Sequence, residues 1–597
     1  MKVALQTVAK VGDAYTTPDR RRVSGPMLQE ERNRVHAEVV SFRGPVERFS
    51  STVVSDGATD GAKRPVNNLL DVSPECVEFI LAKDCTGHTK DKKFIANQVT
   101  GYIWGQPDPL KTVQVLMDNA TRGSWPLIEE ECPWVVVGPC EPHVGSLEIG
   151  DFCKLPFFKE VASKVHTVRK FILHHQKPFA EFKQISDGML SVPAGTRMGT
   201  LFYGMDSFKK SYDAICRSIS SRGVAEYVRG NRSQRATPES ATVLEQFQEV
   251  QAILGDLFFP ARIDMCLAFL RLVVLLLRFS DSDLPTASKI QYHKFEVQEA
   301  LKAVDIDPEN PPWDMDAEDA PCLEALKQEI VSIHRYRWDY GYTILQGTGY
   351  LLDPEYVDMD QHEDEETMES FRRFVEKTYY YPKQPGPDAS AEEVAAFKVQ
   401  CASQLAKRSA AEVQLLQYKM KRGVFARETV WDVTKVVSTP DFWFLFGSSV
   451  KELQLVGMRA TAQVSGAGAA ERGHKVMNLV ENKARNRMHW DNVESWMYII
   501  HNSKQIEKRT SIEYDPEVIS WTEGNEENAA WRDAWEPEED DARQRQRMVA
   551  AEIRAHNISR GATRRVRPLT DEQVAASPET TTTASGRIVR RPTVLAL

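Results

Sequence analysis

The pattern of hydrophobic and polar positions along the chain is at first that of a sheet protein. Between residues 51 and 137, short β-branched or apolar runs recur, and the gaps between them hold turn residues or helix-length polar segments. Two such polar gaps, 90–103 and 124–131, are predicted helices. The predicted strands are 51–55, 66–70, 76–82, 112–117 and 134–137. Three strands, a helix, a strand, a helix and a strand therefore follow one another, and this alternation predicts an α/β sheet.

From residue 147 to about 430 the apolar period becomes helical, which predicts a long all-α unit. The amphipathic stretches are 155–187, 200–229, 240–280, 289–303, 320–335, 365–382 and 390–420. Two acidic loops, 305–319 and 358–366, interrupt this unit. Because neither loop has the spacing of an EF-hand, we interpret their acids as surface charge rather than as metal ligands.

The two ends of the chain have different compositions. The first 50 residues are polar and rich in arginine, and they predict a loop followed by a helix at 25–43. From about 510 onward an acidic segment, an arginine-rich segment and a Thr/Ser/Ala tract predict a disordered tail. The predicted divisions are an N-terminal region (1–50), the first part of the α/β core (51–180), an all-α insertion (181–435), the C-terminal part of the core (436–507) and the tail (508–597).

Composition limits the classes of protein to which the chain can belong. A length of 597 residues predicts two to four structural units, and a net charge of -10 argues against a uniformly basic coat for nucleic acid. The nine cysteines form no CxxC pair, which favours a reducing, intracellular compartment. The most apolar stretch, 265–279, is too short to span a bilayer and contains Arg271 and Arg278, so we expect no membrane segment and no secretion.

Two aspartates follow predicted strands and are candidate metal ligands. Asp56 comes after the run STVVS, and Asp118 ends TVQVLMD. Taken singly, Asp56 is typical of an Asp-Gly turn and Asp118 of a helix N-cap. As a pair, acids at the ends of the first and fourth strands would be neighbours in a ribonuclease-H-like sheet. There they could hold divalent cations for a reaction at a phosphodiester.

Two further segments carry chemistry-bearing residues. Cys140 and His143 form a Cys-x-x-His pair in PCEPHVGSL, and we favour a structural or hydrogen-bonding role for them because two ligands alone make a weak zinc site. After the small-residue run SGAGAA at 465–470, Glu471 begins a predicted helix and would point into whatever that helix packs against. The same acid could also be an exposed helical glutamate.

Seven segments, in this order, resemble the hAT superfamily of transposases (the hobo, Activator and Tam3 relatives). They are spread across most of the range from residue 15 to residue 505. The segments are YTTPDRRRVSGPML, SDGATD, VQVLMDNA, CPWVVVGPCEPHVGSL, KEVASKVHTVRKFILHH, HRYRWDYGYTILQGTGYLLDPEY and GAAERGHKVMNLVENKARNRMHWDNVESWMYI.

The resemblance implies an α/β ribonuclease-H-like core with a mixed sheet, interrupted by a large all-α insertion. It implies that Asp56, Asp118 and Glu471 are the catalytic, metal-binding acids of a DDE triad that holds two Mg²⁺ or Mn²⁺ ions. Water would nick DNA at the transposon end, and the freed 3′-hydroxyl would then act as nucleophile in strand cleavage and joining.

The expected partners are DNA and a second copy of the chain, because the last resembling segment matches the family's dimerisation region. Arg472, Arg485 and Arg487 are candidate phosphate contacts, with surface salt bridging as an equal alternative. The arginine-rich tail could add DNA affinity or act as a nuclear-import signal, so we expect the nucleus as the location.

The chain departs from the family pattern at three places. Ala58 stands where the family usually has tryptophan, and Ala470 stands where it usually has serine. No cysteine precedes Cys76, so the sequence predicts no BED-type zinc finger. This departure favours an alternative function, a domesticated and catalytically inactive nuclear protein that dimerises and associates with DNA. A second alternative, a helical scaffold without a nucleic-acid role, predicts that the three acids do not converge.

Overall fold

The structure, a computed structural model, describes residues 19–510 and two short strands of the tail, 580–582 and 588–590. Within the first range it leaves out 61–62, 75, 89–90, 187–189, 191–199, 236, 238–239, 316–321, 382–383, 433–437 and 481–487. The predicted disordered tail therefore lies mostly outside the described residues. None of the described helices is long and apolar enough to cross a membrane.

A mixed five-stranded sheet organises the first third of the chain. Its strands are β1 (Ser51–Thr59), β2 (Pro65–Ser73), β3 (Cys76–Asp84), β4 (Thr112–Met117) and β5 (Val136–Pro139). The spatial order is β3-β2-β1-β4-β5. The first three strands are antiparallel neighbours, whereas β4 runs parallel to both β1 and β5. The carboxyl ends of β1, β4 and β5 therefore lie along one edge of the sheet.

All five predicted strands are present, and the largest difference concerns the first. The predicted strand ends at Ser55, whereas β1 continues for four residues through the polar and small segment DGAT. Pairing with β2 supplies the reason, because Ala58 lies opposite Val66 and Thr59 lies opposite Pro65. Asp60 then closes the hairpin, since its carboxylate accepts from both the backbone and the side chain of Arg64.

Helices make up most of the remaining described residues. They are α1 (Arg20–Ser24), α2 (Pro26–Ser41), α3 (Gly44–Phe49), α4 (Lys92–Trp104), α5 (Trp125–Glu131), α6 (Glu141–Phe152), α7 (Pro156–His174), α8 (Gln176–Ile185), α9 (Thr200–Lys210), α10 (Tyr212–Ile219), α11 (Arg222–Asn231), α12 (Val243–Leu254), α13 (Phe259–Ser280), α14 (Ile290–Ala303), α15 (Leu323–Gly341), α16 (Ile344–Leu352), α17 (Glu365–Thr378), α18 (Ala391–Lys419), α19 (Glu428–Asp432), α20 (Thr439–Phe446), α21 (Lys451–Thr461), α22 (Gly468–Val480) and α23 (Trp490–Thr510).

The sheet buries a different core on each face, because side chains alternate along a strand. On one face, Val54 and Leu116 pack in a cluster with residues of α2, α22 and α23. On the other face, Val53 and Val115 pack against α4 and α5. The first face is thus closed partly by helices more than 350 positions later in sequence, whereas the second is closed mainly by the local helices α4 and α5.

The helical residues from Ile149 to Val331 form a core of their own, centred on the long apolar helix α13. Many of the buried residues between Leu345 and Ala460 form another cluster, which includes Val113 and Val136 of the sheet. A buried ion pair connects the helices to the sheet, since the Lys294 ammonium on α14 lies 2.8 Å from the carboxylate of Glu141, the first residue of α6. The division into domains stays a prediction.

The small-residue run before α22 passes through a tight gap. A Cβ atom at Gly466 would lie 2.1 Å from the Ser280 carbonyl oxygen, and one at Gly468 would lie 2.2 Å from the Asp281 carboxylate. Only glycine fits such close approaches. On the other side of the run, the amide of Glu141 donates to the Ser465 carbonyl at 2.9 Å. The run therefore brings α22 back to the start of α6, beside the sheet.

Candidate metal centre at the sheet edge

Strand register places Asp56 and Asp118 side by side. The parallel pairing of β1 with β4 ends at the pair Ser55 and Met117, and the two aspartates are the next residue on each strand. Both point to the face closed by α22, as Val54 and Leu116 do two residues earlier. Asp56 is 3 % exposed, whereas Asp118 is partly exposed. The two carboxylates thus meet where the parallel pairing of β1 with β4 ends.

Asp118 takes the N-cap position of a short 3-10 helix at 119–124, but its side chain makes no capping hydrogen bond. The backbone carbonyl oxygen of Asp118, rather than its carboxylate, makes the local side-chain contact, because the Thr121 hydroxyl donates to it at 2.7 Å. Capping therefore does not account for the carboxylate at this position, although the sequence alone offered that explanation.

His143 brings a third ligand to the two acids. It lies in the first turn of α6, which begins directly after β5, and the Cys140 amide donates to the Met117 carbonyl at 3.1 Å. One ligand atom from each of Asp56, Asp118 and His143 lies within 4.8 Å of the others. Burial lowers the pKa of His143, while the charge of Asp118 raises it. Two carboxylates and an imidazole so close together are a donor set for a divalent cation.

His474 contacts the same centre from a different helix. It lies on α22, and its Nε2 atom is 3.6 Å from Oδ2 of Asp56. Its pKa falls to about 4 because burial disfavours the charged imidazolium and because His143 is a neighbouring cationic group when protonated. Its ring is therefore neutral at neutral pH, and a neutral imidazole is the form that ligates metals.

A buried amide faces this part of the sheet. Asn68 on β2 lies directly opposite Asp56 in the antiparallel register, and its side chain is fully buried. Neither its amide nitrogen nor its amide oxygen has a hydrogen-bond partner among the described residues. Its Nδ2 atom is 3.7 Å from where a Cβ would stand on Gly473, the residue before His474. Buried unsatisfied amides are uncommon, so this one requires an explanation.

Cys140 has a different role from His143, although the sequence treats them as a pair. Its thiol sulfur accepts a hydrogen bond from the Ala467 amide at 3.2 Å and is fully buried. It thereby helps to hold the small-residue run before α22 against the start of α6. Of the two residues, only His143 belongs to the three-donor group.

The structure gives less information on the remaining predicted residues. Glu471 and Arg472 lie on α22, and their side chains are outside the described part. Arg485 and Arg487 lie in the segment 481–487, which is also outside it. The close approach of Asp56 and Asp118 differs from what the helical-scaffold alternative predicts for this pair.

One other group of potential ligands occurs among the described residues, formed by Asp360, His362 and Glu363. These residues are consecutive or nearly so in a short surface turn, and His362 and Glu363 are exposed. The turn also has a structural anchor, because Gln361 donates to the carbonyl oxygens of Tyr350 and Tyr356. The exposure of His362 and Glu363 agrees with the interpretation of the 358–366 loop as surface charge. Asp364 of the same loop corrects that interpretation, because it is buried and its carboxylate accepts a hydrogen bond from the Thr367 amide at the start of α17.

Comparison with known proteins adds one finding. No curated protein matches the chain. Residues 18–168, about a quarter of the chain, match the family model described as "Domain of unknown function (DUF659)", a family associated with hAT-type transposase-like proteins. The matched stretch contains the whole sheet and the residues Asp56, Asp118 and His143.

Proposed function

We propose that this chain is a hAT-type DNA transposase, or a protein descended from one, with a ribonuclease-H-like core that cleaves and joins DNA strands. The strand order β3-β2-β1-β4-β5, with three antiparallel strands followed by two parallel ones, is the order expected of such a core. The match of residues 18–168 to the DUF659 family supports the same ancestry.

The observation that carries the proposal is the convergence of Asp56, Asp118 and His143 within 4.8 Å. These residues are up to 87 positions apart, and they meet because β1, β4 and α6 all present their site residues at one edge of the sheet. A convergence built by the fold from distant residues is more specific than a run of acids in one loop.

The donor atoms present fit a divalent metal. Carboxylate oxygens are ordinary ligands of Mg²⁺ and Mn²⁺, and a neutral imidazole nitrogen is an ordinary ligand of first-row transition-metal ions. Asp56 and Asp118 would hold the ion or ions, and His143 would complete the set. Ions bound there would supply the activation of a nucleophilic oxygen and the stabilisation of the leaving oxygen at a phosphodiester.

Glu471 is the proposed third acid of the centre. Its position on α22 supports this role, because residues three apart lie on one face of a helix and His474, three residues later, contacts Asp56. The fold delivers this helix to the sheet through the tight passage of Gly466 and Gly468. We keep Mg²⁺ or Mn²⁺ as the proposed cofactor.

The proposed partners are DNA and a second copy of the chain, and the proposed location is the nucleus. Arg472, Arg485 and Arg487 stay the proposed phosphate contacts because arginine is suited to hold phosphate oxygens in a bidentate manner. The C-terminal segment around α22 and α23 is the proposed dimerisation region. We also propose for the protein the same domain divisions that the sequence predicts.

A nicking assay tests the proposed activity. The full chain would be incubated with supercoiled DNA and Mg²⁺ or Mn²⁺, and compared with Asp118→Asn, which keeps the side-chain size but removes a charged ligand. We expect metal-dependent nicking by the native chain and a loss of at least about 100-fold in the variant. Asp360→Asn, in the exposed turn, is the matched control and should nick as the native chain does.

Two outcomes would decide against the enzyme. If the native chain and Asp118→Asn both give negligible nicking, the domesticated and inactive alternative is favoured. If both nick equally well, the cleavage does not come from this centre. Circular dichroism of each variant establishes that the fold is retained.

A further inference from the structure

The contact between His474 and Asp56 is unlike an ordinary hydrogen bond. The Nε2 to Oδ2 distance of 3.6 Å exceeds the usual range of about 2.7–3.2 Å for a nitrogen donor and an oxygen acceptor. Two ligand atoms bonded to one ion at about 2.1 Å lie about 3.0–3.5 Å apart. The observed separation lies just beyond that range, and Nε2 of His474 is buried without a hydrogen-bond partner among the described residues.

His474 reaches a different part of the centre from His143. The three-donor group consists of Asp56, Asp118 and His143, and His474 is not a member of it. Asp56 is the residue common to both sets of contacts. A carboxylate has two oxygens, so one aspartate can serve two ions, and ions in two-metal sites lie about 3.5–4 Å apart.

The surroundings of His474 contain a group suited to orient a ligand there. Asn68 faces Asp56 across the β1 and β2 pair, and its unpartnered amide lies 3.7 Å from the Cβ position of Gly473. Groups that hydrogen-bond to metal ligands fix their orientation and tune their affinity. The amide therefore lies beside the residue that precedes His474, with its donor and acceptor atoms not engaged by any described residue.

We propose that His474 is a metal ligand, which together with Asp56 forms a second ion position beside the one formed by Asp56, Asp118 and His143. Each position then contains one imidazole nitrogen. Mg²⁺ strongly prefers oxygen ligands, whereas Mn²⁺ and later first-row ions accept imidazole nitrogen more readily. The centre therefore favours Mn²⁺ over Mg²⁺. This inference rests on the proposed function of the site.

Pulsed electron paramagnetic resonance of the Mn²⁺-loaded full chain tests the proposal, because nitrogen nuclei of imidazole ligands modulate the Mn²⁺ signal. We expect two Mn²⁺ ions per chain and nitrogen couplings from two imidazoles. His474→Gln should remove one nitrogen coupling and lower the affinity for the second Mn²⁺ ion by about tenfold or more. Mg²⁺ binding, measured by competition, should change less than Mn²⁺ binding.

The control is His489→Gln. His489 lies outside both potential ligand groups, its side chain is 78 % exposed, and its ring is 3.3 Å from Asp491. This variant should keep both couplings. The native chain carrying ¹⁵N-labelled histidine gives a second measurement that needs no substitution, because the label changes the coupling pattern of every histidine that ligates Mn²⁺.

The outcomes separate the two proposals. One imidazole coupling in the native chain, or two couplings that persist in His474→Gln, would overturn the role of His474. The proposed function would survive that result if Asp118→Asn still abolished Mn²⁺ binding. A native chain that binds no Mn²⁺ would overturn both.

Discussion

Two clusters of buried acids lie on opposite faces of the same sheet, and their neighbours differ in kind. On the face covered by α4, Asp71 of β2 and Glu78 of β3 lie opposite each other, and both are almost fully buried. The Arg43 guanidinium is 3.2 Å from the Asp71 carboxylate and 3.5 Å from that of Glu78. The Tyr102 hydroxyl also donates to Asp71, at 2.7 Å.

On the other face, the groups brought to Asp56 and Asp118 include two imidazoles, His143 and His474. Burial lowers the pKa of both rings, so they are neutral donors at neutral pH rather than cations. The first cluster contains its own guanidinium, which is the arrangement of a structural ion pair. The second combines carboxylates with neutral nitrogen donors, which is the arrangement of a metal site.

The largest expected effect on stability comes from removing the cation of the first cluster. Arg43→Met removes the guanidinium and leaves two buried carboxylates, so we expect a loss of about 3–5 kcal/mol in the free energy of unfolding, measured with urea. The control is Arg34→Met. Arg34 also contacts two acids, Glu31 and Glu38, but its side chain is 54 % exposed. That variant should lose less than about 1 kcal/mol. Equal losses in both variants would contradict the assignment of Arg43 as a buried structural partner.

The second effect concerns metal linkage. A ligand that binds only the folded protein stabilises it by about 2.7 kcal/mol when present at 100 times its Kd. We therefore expect Mn²⁺ to stabilise the native chain by this amount in thermal or urea unfolding. Asp56→Asn should abolish the increment, because Asp56 takes part in both proposed ion positions. Asp360→Asn should show the same increment as the native chain. A loss of the increment in that variant would mean that Mn²⁺ binds at the exposed turn rather than at the sheet edge.

The third effect is a pH dependence that arises from Glu78 in the first cluster. Burial raises the pKa of Glu78 from 4.5 to about 7, while Arg43 opposes and Asp71 reinforces that change. A carboxyl whose pKa is higher in the folded state stabilises the fold fully at pH values below 4.5, and that contribution disappears as the pH rises through about 7. Glu78→Gln stays neutral throughout this range. The free energy of unfolding of Glu78→Gln minus that of the native chain should therefore be larger at pH 8 than at pH 4, by on the order of 2 kcal/mol. Urea unfolding of both chains at each pH measures this difference. A difference that does not vary with pH would contradict the raised pKa.

The sequence predicts a strand well where the pattern is local, and less well where the strand depends on its pairing partner. The strand 112–117 is found with its observed bounds, because a β-branched apolar run between polar residues is a local pattern. The last residues of β1 are missed because DGAT is polar and small, and only its pairing with β2 makes it a strand. Local patterns reveal the elements, while pairing partners fix their limits.

The candidate site shows the same division. Asp56 and Asp118 can be predicted as neighbours because each follows a strand and the strand order is readable. The sequence favours a structural role for His143, since Cys140 and His143 alone make a weak zinc motif, and only the fold brings the ring to the acids. No sequence pattern points to His474. No spacing in the sequence relates position 474 to position 56, because the helical segment between them returns to the sheet only in three dimensions.

The smallest expected effect compares two adjacent asparagines on β2. Asn67, on the α4 face, is satisfied, because it accepts from the Ser55 hydroxyl at 3.0 Å and donates to Gln98 at 3.0 Å. Asn68, on the Asp56 face, has two amide atoms without partners among the described residues. Leucine has the same number and branching of side-chain heavy atoms as asparagine but no polar atom, and an unsatisfied buried polar atom costs about 1–3 kcal/mol.

Asn68→Leu should therefore raise the stability of the metal-free chain by about 1 kcal/mol, while it weakens Mn²⁺ binding by about tenfold. Asn67→Leu should do the reverse, with lower stability and unchanged Mn²⁺ binding, because it removes hydrogen bonds that are already made on the other face. Urea unfolding and Mn²⁺ titration of both variants measure the two quantities. A gain in stability without a loss of Mn²⁺ affinity in Asn68→Leu would leave that amide without a role in the centre. Stability changes of opposite sign in the two variants, with Mn²⁺ affinity lowered only in Asn68→Leu, would instead show that the two faces of β2 differ. One face stabilises the fold, and the other binds a ligand at a cost in stability.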